Sequence, residues 1–161
     1  FLLMIQYLIK ENPNIRFHFL LAGDGPQHSN ISNLINEMGL KEYVTMLGYV
    51  ENIAKFLKVL DIFVLTSDSG EGVPQSVMQA LLMEIPVVST NAGSTKDLYH
   101  KDNFILVDKS SQDDINRSCN NLVKKVDLRK KYSSSSRRYI VENFSLNSMT
   151  EKILKVYSSL I

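Results

Sequence analysis

The chain has 161 residues, 44% of them hydrophobic, and a formal net charge of +1, enough to build one ordinary domain core and not two. Its 18 Lys and Arg are nearly matched by 17 Asp and Glu, so no overall field directs it to nucleic acid. A single cysteine, Cys119, excludes an internal disulfide framework and suits a reducing compartment, and no apolar run approaches the roughly 20 residues that span a bilayer.

The opening residues lack the charged, apolar, small-residue order of a signal sequence. Instead, 1–10 places Leu2, Ile5, Leu8 and Ile9 at helical spacing, and Asn12-Pro13-Asn14 stops the run. A chain that enters on a helix at Phe1, with no strand or cap before it, is expected to be a fragment of a longer protein. Residues 16–22 read as a strand, ended by the tight turn Gly23-Asp24-Gly25-Pro26. A helix over 29–38 shows Ile31, Leu34, Ile35 and Met38 on one face, with Gly39 at its C-cap. Next come a strand at 43–47, the loop Gly48-Tyr49-Val50, and a helix over 51–60 with Ile53, Phe56, Leu57 and Leu60 inward.

The stretch 61–97 organises the rest. Residues 61–65 and 86–90 are short apolar or β-branched runs of the kind buried on both faces of a sheet. Between them Val77, Met78, Leu81, Leu82 and Ile85 recur at three- and four-residue spacing, with Gly72 and Pro74 punctuating the helix start. Beyond this βαβ unit, 96–100 allows one helical turn and 104–107 a short last strand. Helices follow over 112–125 and 127–143, with Ile115, Cys119, Leu122 and Val126 as the core stripe of the first. The serine run 133–136 is expected to kink the second, because serine hydroxyls compete for backbone hydrogen bonds. Ser145 caps a final helix over 146–160. Strands alternating with helices imply an α/β fold with a mostly parallel sheet.

In a βαβ unit the loops leaving the carboxyl ends of the strands face the ligand crevice, here 66–74 and 91–96. A helix start reached through a glycine-containing loop is a seat for phosphate. Glu71 stands just before it. A carboxylate there repels phosphate, so Glu71 is expected to accept hydrogen bonds from hydroxyl groups on a neutral part of the ligand. Gly23-Asp24-Gly25 follows a strand and precedes a helix, as in a dinucleotide fingerprint, but His28 occupies the third glycine position. A structural turn at positive φ is the first reading of that pair, backbone contact with a ligand the second, and a nicotinamide-cofactor site the last. No Walker motif is present. His18, His28 and His100 share no metal-ligand spacing with Cys119 or a carboxylate pair, and His18 is expected to be a partly buried structural residue. Ser67, Ser69 and Ser76 lack the G-x-S-x-G elbow of a nucleophilic serine. The basic positions Lys124, Lys125, Arg129, Lys130, Lys131, Arg137 and Arg138 are interspersed with Asp127 and Glu142, which favours a solvated helix face over contact with an anionic membrane surface.

The succession LAGDGP, VTMLGYV, LDIFVLTS and EGVPQSVMQALLMEIPVVSTNAG, with FSL at Phe144, resembles the C-terminal domain of the family 4 glycosyltransferases, retaining enzymes of the GT-B fold. The resemblance covers nearly the whole chain. It implies a Rossmann-like, doubly wound, mostly parallel sheet that binds a nucleotide-sugar donor, with the acceptor mainly on an N-terminal half and the first strand of this domain expected before Phe1. The family signature is a pair of glutamates eight positions apart. Glu71 matches the first, which the resemblance assigns to the donor sugar's hydroxyls and to catalysis, and Gly72, Val73, Pro74 and Gln75 fall where the sugar and phosphates lie. The second position holds Gln79, where the family carboxylate accepts from the ribose hydroxyls. A Gln oxygen still accepts but loses the charge-assisted part of the bond, on the order of 1 kcal/mol. Gly48, Tyr49 and Val50 correspond to the loop near the nucleobase, and Gly23 and Gly25 complete the expected donor-binding set. Residues 91–96 correspond to a glycine-containing loop near the phosphates, and Asp97 takes the place of a family glutamate. Glu84 stands where the family commonly has glycine; if that position is left-handed, a residue other than glycine costs about 1 kcal/mol.

The implied function is transfer of a sugar, with retention, from a nucleotide diphosphate to a glycan, lipid-linked or other acceptor in glycoconjugate or polysaccharide biosynthesis. No cofactor or metal is expected. The expected partners are the donor, the acceptor and an N-terminal half of the same chain. The expected location is cytoplasmic, at most peripheral on the inner face of the membrane. Two rivals stay open: a non-catalytic nucleotide-sugar-binding module, and a sugar-nucleotide epimerase of the same fold.

Overall fold

The computed structural model describes residues 1–70, 72–100 and 103–160, and of Ser135 the backbone alone. The chain divides into two compact units, Phe1–Phe56 and Leu57–Ile161.

In the first unit, α1 (Leu2–Glu11) buries Met4, Ile5 and Leu8, and of the expected stripe Leu2 and Ile9 are only half-buried, because Met4, one residue before Ile5, turns the buried face toward itself. Asn12 closes the helix, its side-chain amide donating to the Leu8 carbonyl at 2.8 Å. Strand β1 (Phe19–Ala22) pairs in parallel with β2 (Val44–Gly48), and α2 (His28–Glu37) makes the crossover that a parallel pair requires. Strand β1 is shorter than the expected 16–22 because its ladder begins only at Phe19, whose N–H donates to the Tyr43 carbonyl at 2.8 Å. His18 therefore lies just outside the strand. It is exposed, not partly buried, with Nε2 3.0 Å from Thr45 Oγ1. Helix α2 ends in a paired-bond C-cap: Gly39 at φ +67° donates to Asn36 O at 3.1 Å, and Leu40 donates to Ile35 O at 2.9 Å. Helix α3 (Ile53–Leu57) covers half of the expected 51–60, since the Asn52 side chain accepts from Lys55 N–H at 3.0 Å and fixes the start after itself.

In the second unit β3 (Phe63–Leu65), β4 (Val87–Thr90) and β5 (Ile105–Val107) form a parallel sheet in the order β3-β4-β5. Central β4 is buried at all four residues. Helix α4 (Gln75–Leu82) connects β3 to β4 and buries Val77, Ala80 and Leu81. A single 3-10 turn (Thr95–Leu98) follows β4. Helix α5 (Gln112–Lys124) is capped by Ser111 and buries Ile115, Cys119 and Leu122. Burial pushes the Cys119 thiol up to about 12.

Helix α6 (Val126–Phe144) and helix α7 (Leu146–Ser158, capped by Ser145) complete the chain. One expectation fails here. Val126 is 51% exposed and opens α6 instead of closing the α5 stripe, because Lys125 is extended (φ −117°, ψ 94°) and breaks the helical period. The serine run does not interrupt α6. The Ser133 hydroxyl donates back to Arg129 O at 2.9 Å and the Ser134 hydroxyl to Lys131 O at 3.1 Å, so these side chains bond carbonyls of the preceding turn instead of displacing the helix ladder. Parallel strands connected and flanked by helices give the expected Rossmann-like α/β class. Among the described residues no helix is long and apolar enough to cross a membrane.

Candidate functional site

Because β3, β4 and β5 are parallel, their carboxyl ends share one edge of the second unit, and the chain leaves that edge at 66, 91 and 108. The first loop is tied down from its neighbours. Thr90, the buried last residue of β4, donates its hydroxyl to the Ser67 carbonyl and lies 3.5 Å from the Leu65 carbonyl. Lys109, two residues past β5, donates from Nζ to the Asp68 carbonyl at 3.0 Å. The Asp68 carboxylate accepts from the Ser69 hydroxyl at 3.2 Å, and Gly70 turns at φ +75°, a region where a β-carbon is strained.

This loop leads into α4. Pro74 is its N-cap, extended at φ −70°, ψ 112°; it is buried and offers no side-chain cap. The N–H groups of the first turn, Gln75, Ser76 and Val77, thus begin the helix with no side-chain cap at Pro74 and no acidic side chain in the turn to offset their partial positive charge. Gln79 lies one turn beyond Gln75 on the same face, and both are exposed. Gly72 and Val73 are exposed on the approach. Glu71 lies outside the described residues.

The loop after β4 is held by a bond to β5 and by bonds of its own. Asn91 N–H donates to Val107 O at 2.8 Å, Gly93 turns at φ +54°, and the buried Thr95 hydroxyl donates to Ala92 O at 2.7 Å. Asp97 is exposed in the 3-10 turn. After β5, Asp108 accepts from both the Ser110 hydroxyl (2.6 Å) and the Ser110 N–H (2.8 Å), and these bonds hold its carboxyl below the usual range.

In the first unit, Gly23 and Gly48 come together: Gly23 N–H donates to Gly48 O at 2.8 Å, next to a register shift between Leu21 and Ala22. Both have positive φ, +128° and +62°, and a β-carbon on either would meet nothing within 4 Å. Glycine is needed there for backbone conformation and not for space. Gly25 has no such φ; its N–H donates to the Asp24 carboxylate at 2.8 Å. Tyr49 is 81% exposed and Val50 is half-buried.

The residues that the sequence reading missed are Thr90 and Lys109. Thr90 is inside a β-branched run that reads as strand core, and Lys109 belongs to no motif; the available signal was their place at the carboxyl ends of two strands. A groove of about 590 Å³ lies elsewhere, at the opposite strand ends, lined by Asp61, Glu84, Pro86, Val126 and Arg129 among others. It touches none of the loops at the carboxyl edge. Among the described residues no group of three or more His, Cys, Asp and Glu is placed to hold a metal ion.

Three comparisons bear on this geometry. The chain is 27% identical over 161 residues to the UDP-Gal:alpha-D-GlcNAc-diphosphoundecaprenol alpha-1,3-galactosyltransferase of Escherichia coli, covering 97% of this chain and 40% of that one. Its fold matches a TarM variant of S. aureus, solved in complex with fondaparinux, alpha-GlcNAc-glycerol and UDP, with a TM-score of 0.84 at 24% identity, over 96% of this chain and 31% of that one. It also matches the C-terminal domain of a glycosyl transferase group 1 family protein from Francisella tularensis, with a TM-score of 0.74 at 19% identity, over 89% of this chain and 78% of that one. The chain spans about a fifth to two fifths of the length of curated relatives such as these. The family model described as glycosyl transferases group 1 matches residues 1–125, and the chain belongs to that family.

Proposed function

We propose that the chain is the donor-binding domain of a retaining, family 4 glycosyltransferase that moves a sugar from a nucleotide diphosphate to a glycan or lipid-linked acceptor. The observation that carries the reading is the α4 start, a helix N-terminus without a side-chain cap, entered through a loop tied at 67 and 68 and placed at the carboxyl edge of a parallel sheet. That arrangement suits an anion. The partial positive charge of the first-turn N–H groups favours a diphosphate, and favours it most as the diphosphate departs with added charge. The bond from the anomeric carbon to the diphosphate oxygen breaks, the acceptor oxygen bonds that carbon on the same face, and the acceptor proton passes to the leaving phosphate.

Glu71 is assigned to the sugar hydroxyls and Gln79 to the ribose, following the family signature. Gly48, Tyr49 and Val50 are assigned to the nucleobase on the same basis. The E. coli relative is named for a UDP-Gal donor and the TarM complex includes UDP, so uridine diphosphate is the first nucleotide to try. One observation favours a binding module instead: Gln79 stands where a carboxylate is expected and is exposed on α4.

The test is calorimetry of the complete protein with UDP, GDP and ADP, followed by turnover with the matching nucleotide sugar. Micromolar binding with transfer to an acceptor supports the transferase. Binding without turnover selects the module, donor conversion without acceptor selects the epimerase, and no binding of any of the three overturns the reading.

A further inference from the structure

Strand order puts β4 between β3 and β5, yet Lys109, which follows β5, bonds the loop that follows β3. The connection passes over the carboxyl end of β4, a span of two strand spacings, or about 9.6 Å. Its mount is fixed at both ends. Ser111 N–H donates to Asp108 O at 3.1 Å, closing a four-residue turn with Lys109 at its corner, and the Ser111 hydroxyl then caps α5 by accepting from Asp114 N–H. The Asp108 carboxylate grips Ser110 through two bonds inside the same turn. A flexible side chain is thus carried by a backbone that has little freedom.

We propose that Lys109 is a positioning residue for the donor loop: its ammonium holds the Asp68 carbonyl so that 66–70, and with it the entry to α4, is preset before the sugar diphosphate arrives. The inference rests on the donor-binding reading above. Thr90 holds the root of the loop at Ser67, and Lys109 holds the next residue along. Two adjacent carbonyls, one tied from the last residue of β4 and one from the turn after β5, leave 66–68 fewer conformations to lose on binding, which is how preorganisation raises affinity. An ammonium also brings a unit charge to the edge where the diphosphate is expected, and its three donors allow it to keep Asp68 while approaching a phosphate oxygen.

The test compares wild type with Lys109→Gln and Lys109→Arg in the complete protein. Amide hydrogen exchange over 66–70 needs no ligand: the Gln variant is expected to exchange several-fold faster there, with an unchanged melting temperature, and the Arg variant to restore protection. With UDP-glucose and UDP as probes, the Gln variant is expected to raise the KM or Kd for the sugar nucleotide about threefold to tenfold, to change kcat less, and to regain wild-type values with Arg. Unchanged exchange in the Gln variant overturns the latch. Faster exchange with an unchanged KM or Kd overturns its role in positioning the donor. If wild type binds UDP, GDP and ADP not at all, the donor reading fails, and with it the positioning role, while exchange still decides whether the latch exists.

Discussion

Glu84 makes a glycine's turn without being glycine. The α2 and α4 helices end in the same pattern of two bonds. In α2 Gly39 sits at the left-handed position; in α4 Glu84 does, at φ +59°, with its N–H donating to Leu81 O at 3.1 Å and Ile85 N–H to Ala80 O at 3.0 Å. A β-carbon in that region is unfavourable by roughly 1–2 kcal/mol, and a carboxylate next to helix carbonyls adds repulsion. Against this, glycine gives the unfolded chain more freedom. Glu84→Gly is therefore expected to stabilise the protein by about 0.5–1 kcal/mol, read as a rise in melting temperature, and an unchanged or lower value would show that the side chain makes compensating contacts. Gln79 raises the converse question. Gln79→Glu is expected to tighten nucleoside diphosphate binding several-fold, on the order of 1 kcal/mol, because a carboxylate accepts charge-assisted bonds from two ribose hydroxyls. Calorimetry of the substituted complete protein checks this, and weaker binding would remove Gln79 from the ribose.

At the scale of elements, α6 holds α4 by its end. Ser136, buried on α6, donates its hydroxyl to Leu81 O at 3.0 Å, and Arg137 Nη1 donates to Leu82 O at 2.6 Å, so two carbonyls of the last α4 turn are satisfied from another helix. A cation there also complements the helix dipole. Ser136→Ala is expected to lower stability by about 0.5–1 kcal/mol in denaturant unfolding; the loss is small because Leu81 O keeps its bond from Glu84. Read as sequence, Ser136 was part of a run expected to weaken α6. The hydroxyl's long-range partner lies 55 positions away, and nothing local points to it. Element type was legible because buried faces impose periods of 2 and 3.6, and that is why every expected strand and helix is present. Bounds were less so: strands are cut where the partner strand ends, as at Phe19 and Phe63, whose first ladder bonds go to Tyr43 and Pro86. The apolar period also ran on through Val126, since a single extended residue, Lys125, leaves no mark in composition.

At the scale of the molecule, the loop that enters α4 was legible where glycine and proline mark it, and illegible where strand order does. Thr90 and Lys109 act through neighbours that only the β3-β4-β5 arrangement brings within reach. The chain spans 40% of the E. coli galactosyltransferase relative, and the resemblance assigns the acceptor to the other half of such proteins. The 161-residue chain by itself is therefore expected to support no sugar transfer, and sustained transfer by it in a radiolabelled-donor assay would contradict that division of labour.

The central claim is retaining transfer from a nucleotide sugar. Its most direct test is NMR of the glycoside formed by the complete protein from an α-linked nucleotide sugar, reading the one-bond C–H coupling at the anomeric carbon of the new linkage. An α-linked product is expected. A β-linked product, or bound nucleotide with no product at all, would contradict it.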